Sequence, residues 1–318
     1  MQSKISMRNQ FIELLKEICI EHGISLRLFS GDWIAIYQSG SSKQSCIYGY
    51  NFALNNGASA QICQDKNATS LVLESAGVPT VRHELFLNPS DTLVSSLIPA
   101  GGSVSRILEV ASQSDYNVVL KPVCGTGGNG VIRAYNCKDV ERAVLSLFQK
   151  HHALVISPFV EIRREIRVVV LNQRIRLVYE KKRPSVVGDG ISPLSMLITE
   201  QLGPRSASLS IPADLDLDRI PKSDEEIVVE WRHNLGHGAT PVLIANPNQC
   251  ICDLAIAAVN ALNMRFCSVD IIESHTGELR VLEVNSGVMM DTFISSPDSE
   301  FRHLAKSIYT DAIISSLE

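Results

Sequence analysis

The stretch VVLKPVCGTGGNGVIRAY, residues 118–135, constrains the fold of this chain more than any other. Gly125, Gly127 and Gly130 spell G-x-G-x-x-G, the fingerprint of a dinucleotide-binding βαβ unit. In that unit the glycines open a helix whose N-terminus faces a pyrophosphate. Here the residues after Gly130 are VIRAY, β-branched and aromatic, and they end at Asn136. That is strand chemistry, so the loop joins two strands. The ribose-binding acid of the dinucleotide fold is also missing, because Asp139 and Glu141 fall within a helical pattern. No Gly-Lys-Ser/Thr occurs, which excludes a Walker loop. What remains is a glycine flap whose bare N–H groups suit a polyphosphate, with Lys121 as a point charge at its root. On this stretch alone, an ordinary hairpin with an exposed lysine fits equally well.

The bulk of the chain limits its partners. Its 318 residues suit two or three lobes, and 45% hydrophobic with 20% charged residues suits a globular protein. A net charge of −5 argues against a general nucleic-acid partner. The apolar run LAIAAVNAL (254–262) is far short of a membrane span, and the N-terminus runs straight into an amphipathic helix. The eight cysteines form no C-x-x-C pair, so reduced thiols in the cytoplasm are expected. His233 and His237 stand four apart, but the flanking Gly236 and Gly238 make a helical zinc pair a poor reading.

Periodicity predicts a helix over 7–22 and short strands at 26–29, 33–37 and 45–50. A helix at 67–76 and a Pro/Ser/Gly-rich linker at 88–103 follow. Strands are predicted at 117–121, 131–135, 153–157, 165–171 and 174–180, with a helix at 138–150. The last two strands are separated only by Asn172-Gln173, a tight hairpin. Further on come a strand at 226–231, a helix at 250–263, strands at 267–273 and 279–284, and a terminal helix from 301. The expected division is an N-terminal α/β lobe (1–100), a central lid lobe (101–182) and a C-terminal lobe (183–318).

Residues 266–287, FCSVDIIESHTGELRVLEVNSG, fold naturally as a hairpin about His275–Gly277. Asp270 then stands opposite Glu283, and Asn285 shares a strand face with Glu283. Two carboxylates and an amide oxygen suit Mg²⁺, and the apolar neighbours Val269, Ile271, Leu282 and Val284 would bury the charges, so a cation is expected. Pairing of Asp270 and Glu283 with Arg or Lys is the competing reading.

KPVCGTGGNGV (121–131) followed at a distance by D-x(12)-E-V-N resembles the ATP-grasp superfamily of ligases. QDKNATSLVLESAGVPT (64–80) is similar to that superfamily's D-K-x(n)-L-x-x-A-G-V-P segment. WRHNLGHGA (231–239) resembles the R-x-N-L-x-x-G-G loop of glutathione synthetases and ribosomal-protein glutamate ligases, with Ala239 in place of the second glycine. VVGDGISPLSMLI (186–198) resembles a segment of cyanophycin synthetases and of fused glutathione enzymes. The likeness covers about residues 45–295.

The resemblance implies an ATP-grasp fold, α/β and α+β, with a small N-terminal lobe and two α+β lobes clamping ATP. It implies that Lys66 and Lys121 contact phosphates and that Gly125, Gly128 and Gly130 form the flap, leaving Gly127 as a coincidence. Glu165 would take the ribose hydroxyls, and Lys181, or its neighbours Lys182 or Arg183, would be a further phosphate cation. Arg232 and Asn234 would steady the transferred phosphoryl group, and Asp270, Glu283 and Asn285 would hold Mg²⁺, with Mn²⁺ as an alternative. Ser157-Pro158 stands at the inter-lobe hinge, where proline removes an N–H that would meet adenine. The expected activity is ATP-dependent joining of an amino-acid or peptide carboxylate to an amine through an acyl phosphate, releasing ADP. The alternatives are a non-catalytic nucleotide- or peptide-binding relative and an ATP-grasp phosphotransferase. Expected partners are small amino-acid or peptide substrates and a second copy in a homodimer, with neither nucleic acid nor membrane.

Overall fold

The computed structural model describes residues 2–40, 43–91, 104–125, 127–209, 211–212 and 215–318. Helix α1 (Gln2–Glu21) lays Phe11, Leu14, Leu15 and Ile18, all fully buried, into the core of an N-terminal unit. Burial of each such side chain contributes about 1.5–3 kcal/mol. They pack beside an antiparallel meander of β1 (Ile24–Phe29), β2 (Ile34–Ser39), β3 (Lys43–Tyr48) and β4 (Asn51–Phe52). Helices α2 (Gly57–Gln64) and α3 (Lys66–Ser75) meet at Asp65, whose carboxylate accepts from Ala68 N at 2.9 Å and so caps α3. This fixes Lys66 in the first turn of α3. The chain then runs alongside residue 281, with Val281 N donating to Pro79 O at 2.8 Å and Val81 N to Val281 O at 2.9 Å.

A second unit is a four-stranded antiparallel sheet in the order β5-β8-β6-β7, built from β5 (Glu84–Leu87), β6 (Val118–Pro122), β7 (Ile132–Ala134) and β8 (Ala153–Pro158). Helices α4 (Val104–Ser112) and α5 (Cys137–Phe148) cover one face and close a core of Ile107, Leu120, Val140, Val144 and Ile156. Residues 92–103 of the expected linker lie outside the described residues.

The largest sheet has the order β13-β10-β9-β14-β15. It comprises β9 (Ile162–Leu171), β10 (Arg174–Lys182), β13 (Thr240–Leu243), β14 (Phe266–Ser274) and β15 (Leu279–Asn285). Asn172 and Gln173 turn the β9–β10 hairpin with φ of +48° and +63°, the double left-handed geometry of a type I′ turn. A small satellite of β11 (Ser185–Val187), α6 (Leu194–Leu202) and β12 (Glu226–Val228) has its own core around Val186, Leu194 and Ile227. Helix α7 (Gln249–Ala261) covers one face of the large sheet, while α8 (Asp291–Ile294) and α9 (Ser299–Leu317) close the core shared with α1. No helix among the described residues is long and apolar enough to cross a membrane.

Sheet pairing cuts the chain differently from the expected 1–100, 101–182 and 183–318 segments. β5 joins the central sheet from the N-terminal side, and β9 and β10 leave it for the large sheet. The reason lies in β9. Ile166, Val168 and Val170 face α7, while Val169 and Leu171 face the α1/α9 core. A strand buried on both faces needs a partner on each edge, and β10 and β14 supply them.

Candidate active site

The face of the large sheet opposite α7 changes character along its length. At one end Val169, Leu171 and Phe266 belong to the apolar core. At the other, β9 places Glu165 and Arg167, β10 places Lys181, β14 places Asp270, and β15 places Glu283 and Asn285. The register is specific: Asp270 stands opposite both Arg167 and Glu283, and Ser268 stands opposite Asn285. The expected pairing of Asp270 with Glu283 is therefore present, with Asn285 on the same face.

The expectation that these carboxylates need a metal for neutrality is corrected by Arg167, which the sequence reading missed. Its guanidinium grips fully buried Asp270 through both oxygens, Nε to Oδ1 at 2.7 Å and Nη2 to Oδ2 at 2.6 Å. Lys181 adds a bond to Asp270 Oδ2 at 2.9 Å and one to Glu165 at 2.5 Å. Burial pushes the Asp270 carboxyl up, but Arg167 and Lys181 overcome that and hold it below the ordinary carboxylate range. Burial also raises Glu165, against the pull of Lys181. The apolar neighbours Val269, Ile271 and Val284 pack on the other side of the sheet. Lys181 thus lies within the carboxylate cluster, and Glu165 is buried against it. Of the three acids, Glu283 is the one without an ion pair among the described residues; it accepts a hydrogen bond from Asn285 Nδ2 at 3.1 Å. The signal for Arg167 was the E-x-R alternation at 165–167, but its meaning depended on a register between strands about 100 residues apart.

Across the cleft stands Lys121, buried on β6, its ammonium without a hydrogen bond or ion pair among the described residues. Burial pulls its pKa down to about 8, with Glu283 opposing and Lys66 reinforcing the shift. Those electrostatic contacts, with a further one to Glu165, place Lys121 over the acidic bed. Lys66 reaches the flap directly, its Nζ donating to Gly125 O at 3.1 Å and its N–H to Val123 O at 3.2 Å.

The flap leans on residues 232–237. His237 Nε2 lies 3.0 Å from Gly127 O, and Arg232 Nη1 donates to Gly128 O at 3.5 Å. Gly127, set aside as a coincidence, is thus a contact point. Gly128 has φ +70°, and a Cβ there would lie 2.9 Å from Asn234 Nδ2, so two requirements exclude a side chain. Glu230, fully buried, holds Arg232 through both oxygens at 3.1 and 2.9 Å. Asn234 Oδ1 caps Gly236 N at 2.7 Å. The two expected phosphoryl-steadying residues therefore meet the lid. His233 turns away, its Nδ1 2.9 Å from Lys181 O, and burial lowers its pKa to about 4. At the hinge, Ser157 and Pro158 pair with β6 and the Phe159 N–H is taken by Asn117 O at 2.9 Å.

Among the described residues, no three His, Cys, Asp or Glu side chains gather into a metal nest. Glu283 and Asn285 offer hard oxygens, and Asp270 joins them only by yielding bonds to Arg167 or Lys181. This donor set fits one Mg²⁺ more readily when anionic phosphates arrive with it.

Comparison with solved structures decides the architecture. A bifunctional glutathione synthetase from Pasteurella multocida superposes over 94% of this chain and 43% of its own, with a TM-score of 0.54 at 19% identity. The chain has the ATP-grasp fold. A D-alanine–D-alanine ligase from Bacillus anthracis superposes at TM-score 0.52 and 17% identity, covering 83% of this chain and 70% of its own. No family model matches. Among curated sequences, the glutathione biosynthesis bifunctional protein of Listeria innocua is 24% identical over 244 residues, which is 69% of this chain and 29% of that protein. The cyanophycin synthetase of Trichormus variabilis is 27% identical over 141 residues, 44% of this chain and 14% of its own. The chain therefore matches under a third of the length of these relatives.

Proposed function

We propose that this chain is an ATP-dependent carboxylate–amine ligase acting on an amino acid or small peptide. One observation supports the reading: Lys121, Lys66 and the glycine loop stand against a bed on which Glu283 has no ion pair among the described residues and bonds Asn285. The names of the relatives, enzymes of glutathione and cyanophycin synthesis, support the same class.

In this reaction a carboxylate oxygen attacks the γ-phosphorus of ATP. The bond from that phosphorus to the bridging oxygen breaks, giving an acyl phosphate and ADP. An amine nitrogen then attacks the acyl carbon, the carbon–oxygen bond to phosphate breaks, and the proton lost by the nitrogen passes to the departing phosphate. The protein's work is positioning and charge neutralisation, with no covalent group of its own. Lys121 and Lys66 neutralise phosphate oxygens from the lid side. Arg232, held rigid by Glu230, stabilises the transferred phosphoryl group. Lys181 and Arg167 keep Glu165 and Asp270 in place. Mg²⁺, held by Glu283 and Asn285 with Asp270 behind them, would supply further neutralisation of the phosphates. The lid, pinned at Gly127 and Gly128, excludes water from the acyl phosphate.

The test is an ADP-release screen over pairs of amino acids and short peptides. The expected result is ADP and phosphate formed only when both substrates are present. AMP with pyrophosphate, or a stable phosphorylated product, would overturn the assignment.

A further inference from the structure

His83 is 2% exposed, and its Nε2 is buried without a hydrogen-bond partner. It is the residue before β5. The alternation that sends Phe86 into the α4/α5 core sends His83 to the opposite face, the one that carries Lys121 between the core residue Leu120 and Pro122. Its backbone is fixed on both sides: the N–H donates to Ser70 Oγ at 3.3 Å, and Asn67 Nδ2 donates to its carbonyl at 2.6 Å. Both partners lie on α3, the helix that begins with Lys66. The ring hydrogen-bonds the Val81 carbonyl, so the nitrogen bonded there carries the proton. Burial, then Lys121 and Lys66, hold the imidazole neutral. Nε2 is therefore a bare lone pair within electrostatic reach of two ammonium groups. Lys121 has three N–H donors and, among the described residues, no acceptor.

We infer that His83 is a positioning residue: its Nε2 and the Lys121 ammonium, each without a hydrogen bond among the described residues, join when nucleotide binds, which aims the other two Lys121 N–H bonds at the phosphates. The inference rests on the nucleotide-binding reading above. A lysine on a flexible four-carbon stem is a poor pointer by itself. An acceptor fixed behind it converts it into a directed donor at no electrostatic cost, because a neutral imidazole does not compete with phosphate for the charge. A carboxylate there would hold the lysine away from its anion.

The experiment measures dissociation constants for ADP and adenosine by calorimetry on the full chain, with melting temperatures alongside. A lost hydrogen bond to a charged group predicts that His83→Leu weakens ADP about 10-fold or more. Adenosine, which has no phosphate, should bind as before. His83→Gln, which carries an oxygen near the Nε2 position, should recover most of the loss. His83→Asn, whose amide falls short of it, should not. In a Lys121→Met background the His83→Leu effect on ADP should vanish. Unchanged ADP binding in His83→Leu, equal loss of adenosine, no recovery with Gln, or persistence in Lys121→Met would each overturn the proposal. A wild-type chain that binds neither ligand would instead overturn the nucleotide reading. If His83→Leu does not fold, the contrast between Gln and Asn decides.

Discussion

Asp270 and Glu283 stand opposite each other on adjacent strands, yet their replacement should have different consequences. Glu165, Asp270 and Glu283 face Arg167 and Lys181 on the bed, and Lys121 and Lys66 from across the cleft. Asp270→Asn removes the anion that holds both Arg167 and Lys181, in a region where Arg167 is 16% and Lys181 6% exposed. Breaking such a buried pair costs about 3–5 kcal/mol. Glu283→Gln removes a half-buried anion with no ion pair among the described residues, and should cost about 1 kcal/mol or less. Turnover should order the two differently from stability. Glu283→Gln should lose about 100-fold or more of the metal-dependent rate, since it removes the unpaired oxygen donor. Chemical denaturation beside an ADP-release assay separates the effects. The expected pattern is a large midpoint shift for Asp270→Asn, and a near-native midpoint with collapsed turnover for Glu283→Gln. Equal midpoint shifts, or Glu283→Gln with undiminished metal-dependent activity, would refute the reasoning.

Gly128→Ala forces a side chain into the left-handed region at a cost of about 1–2 kcal/mol and drives it against Asn234. Lid closure and turnover should fall and the melting temperature should drop by about 2–5 °C, whereas Gly127→Ala, whose nearest neighbour would be 3.9 Å away, should be milder. His233 titrates near 4 in the folded chain against an ordinary value of 6.5, so the folded state binds fewer protons between those values. Stability should therefore fall as pH drops from 6.5 to 4, by about 3 kcal/mol for this group, and His233→Phe should flatten that slope in denaturation curves. Because Arg167 and Lys181 already neutralise Asp270 and Glu165, Mg²⁺ titrated calorimetrically into nucleotide-free protein should bind about 10-fold or more weaker than in the presence of ADP. Glu17, paired with Arg302 and with Lys306 at 2.7 Å, ties α1 to α9, but it is about one-third exposed. Glu17→Ala should cost about 1 kcal/mol or less in thermal denaturation.

Local features were legible in the sequence. The strand after Gly130, the Asn172-Gln173 turn and the 266–287 hairpin all follow from composition and period two. So did the facing of Asp270 and Glu283, because a hairpin fixes its own register. Helix α2 was missed: its sequence GASAQICQ has weak amphipathic character and starts on a glycine. What composition could not reveal was pairing over long separations. Arg167 meets Asp270 only because β9 lies between β10 and β14, and His237 meets Gly127 only because the lid lies over the 232–237 loop. For Asp270 the counter-charge comes from Arg167 and Lys181, which only the long-range pairing reveals.

β9 carries two messages in one phase. On a single face, Glu165 and Arg167 serve the cleft, and Val169 and Leu171 serve the core beneath α1 and α9. A one-residue insertion or deletion within the strand would turn the charges into the α7 core and the valines toward the cleft together. Chemistry and folding are thus inherited here as one locus. A change in length is better tolerated in the surrounding loops than in this strand, which has to keep its count.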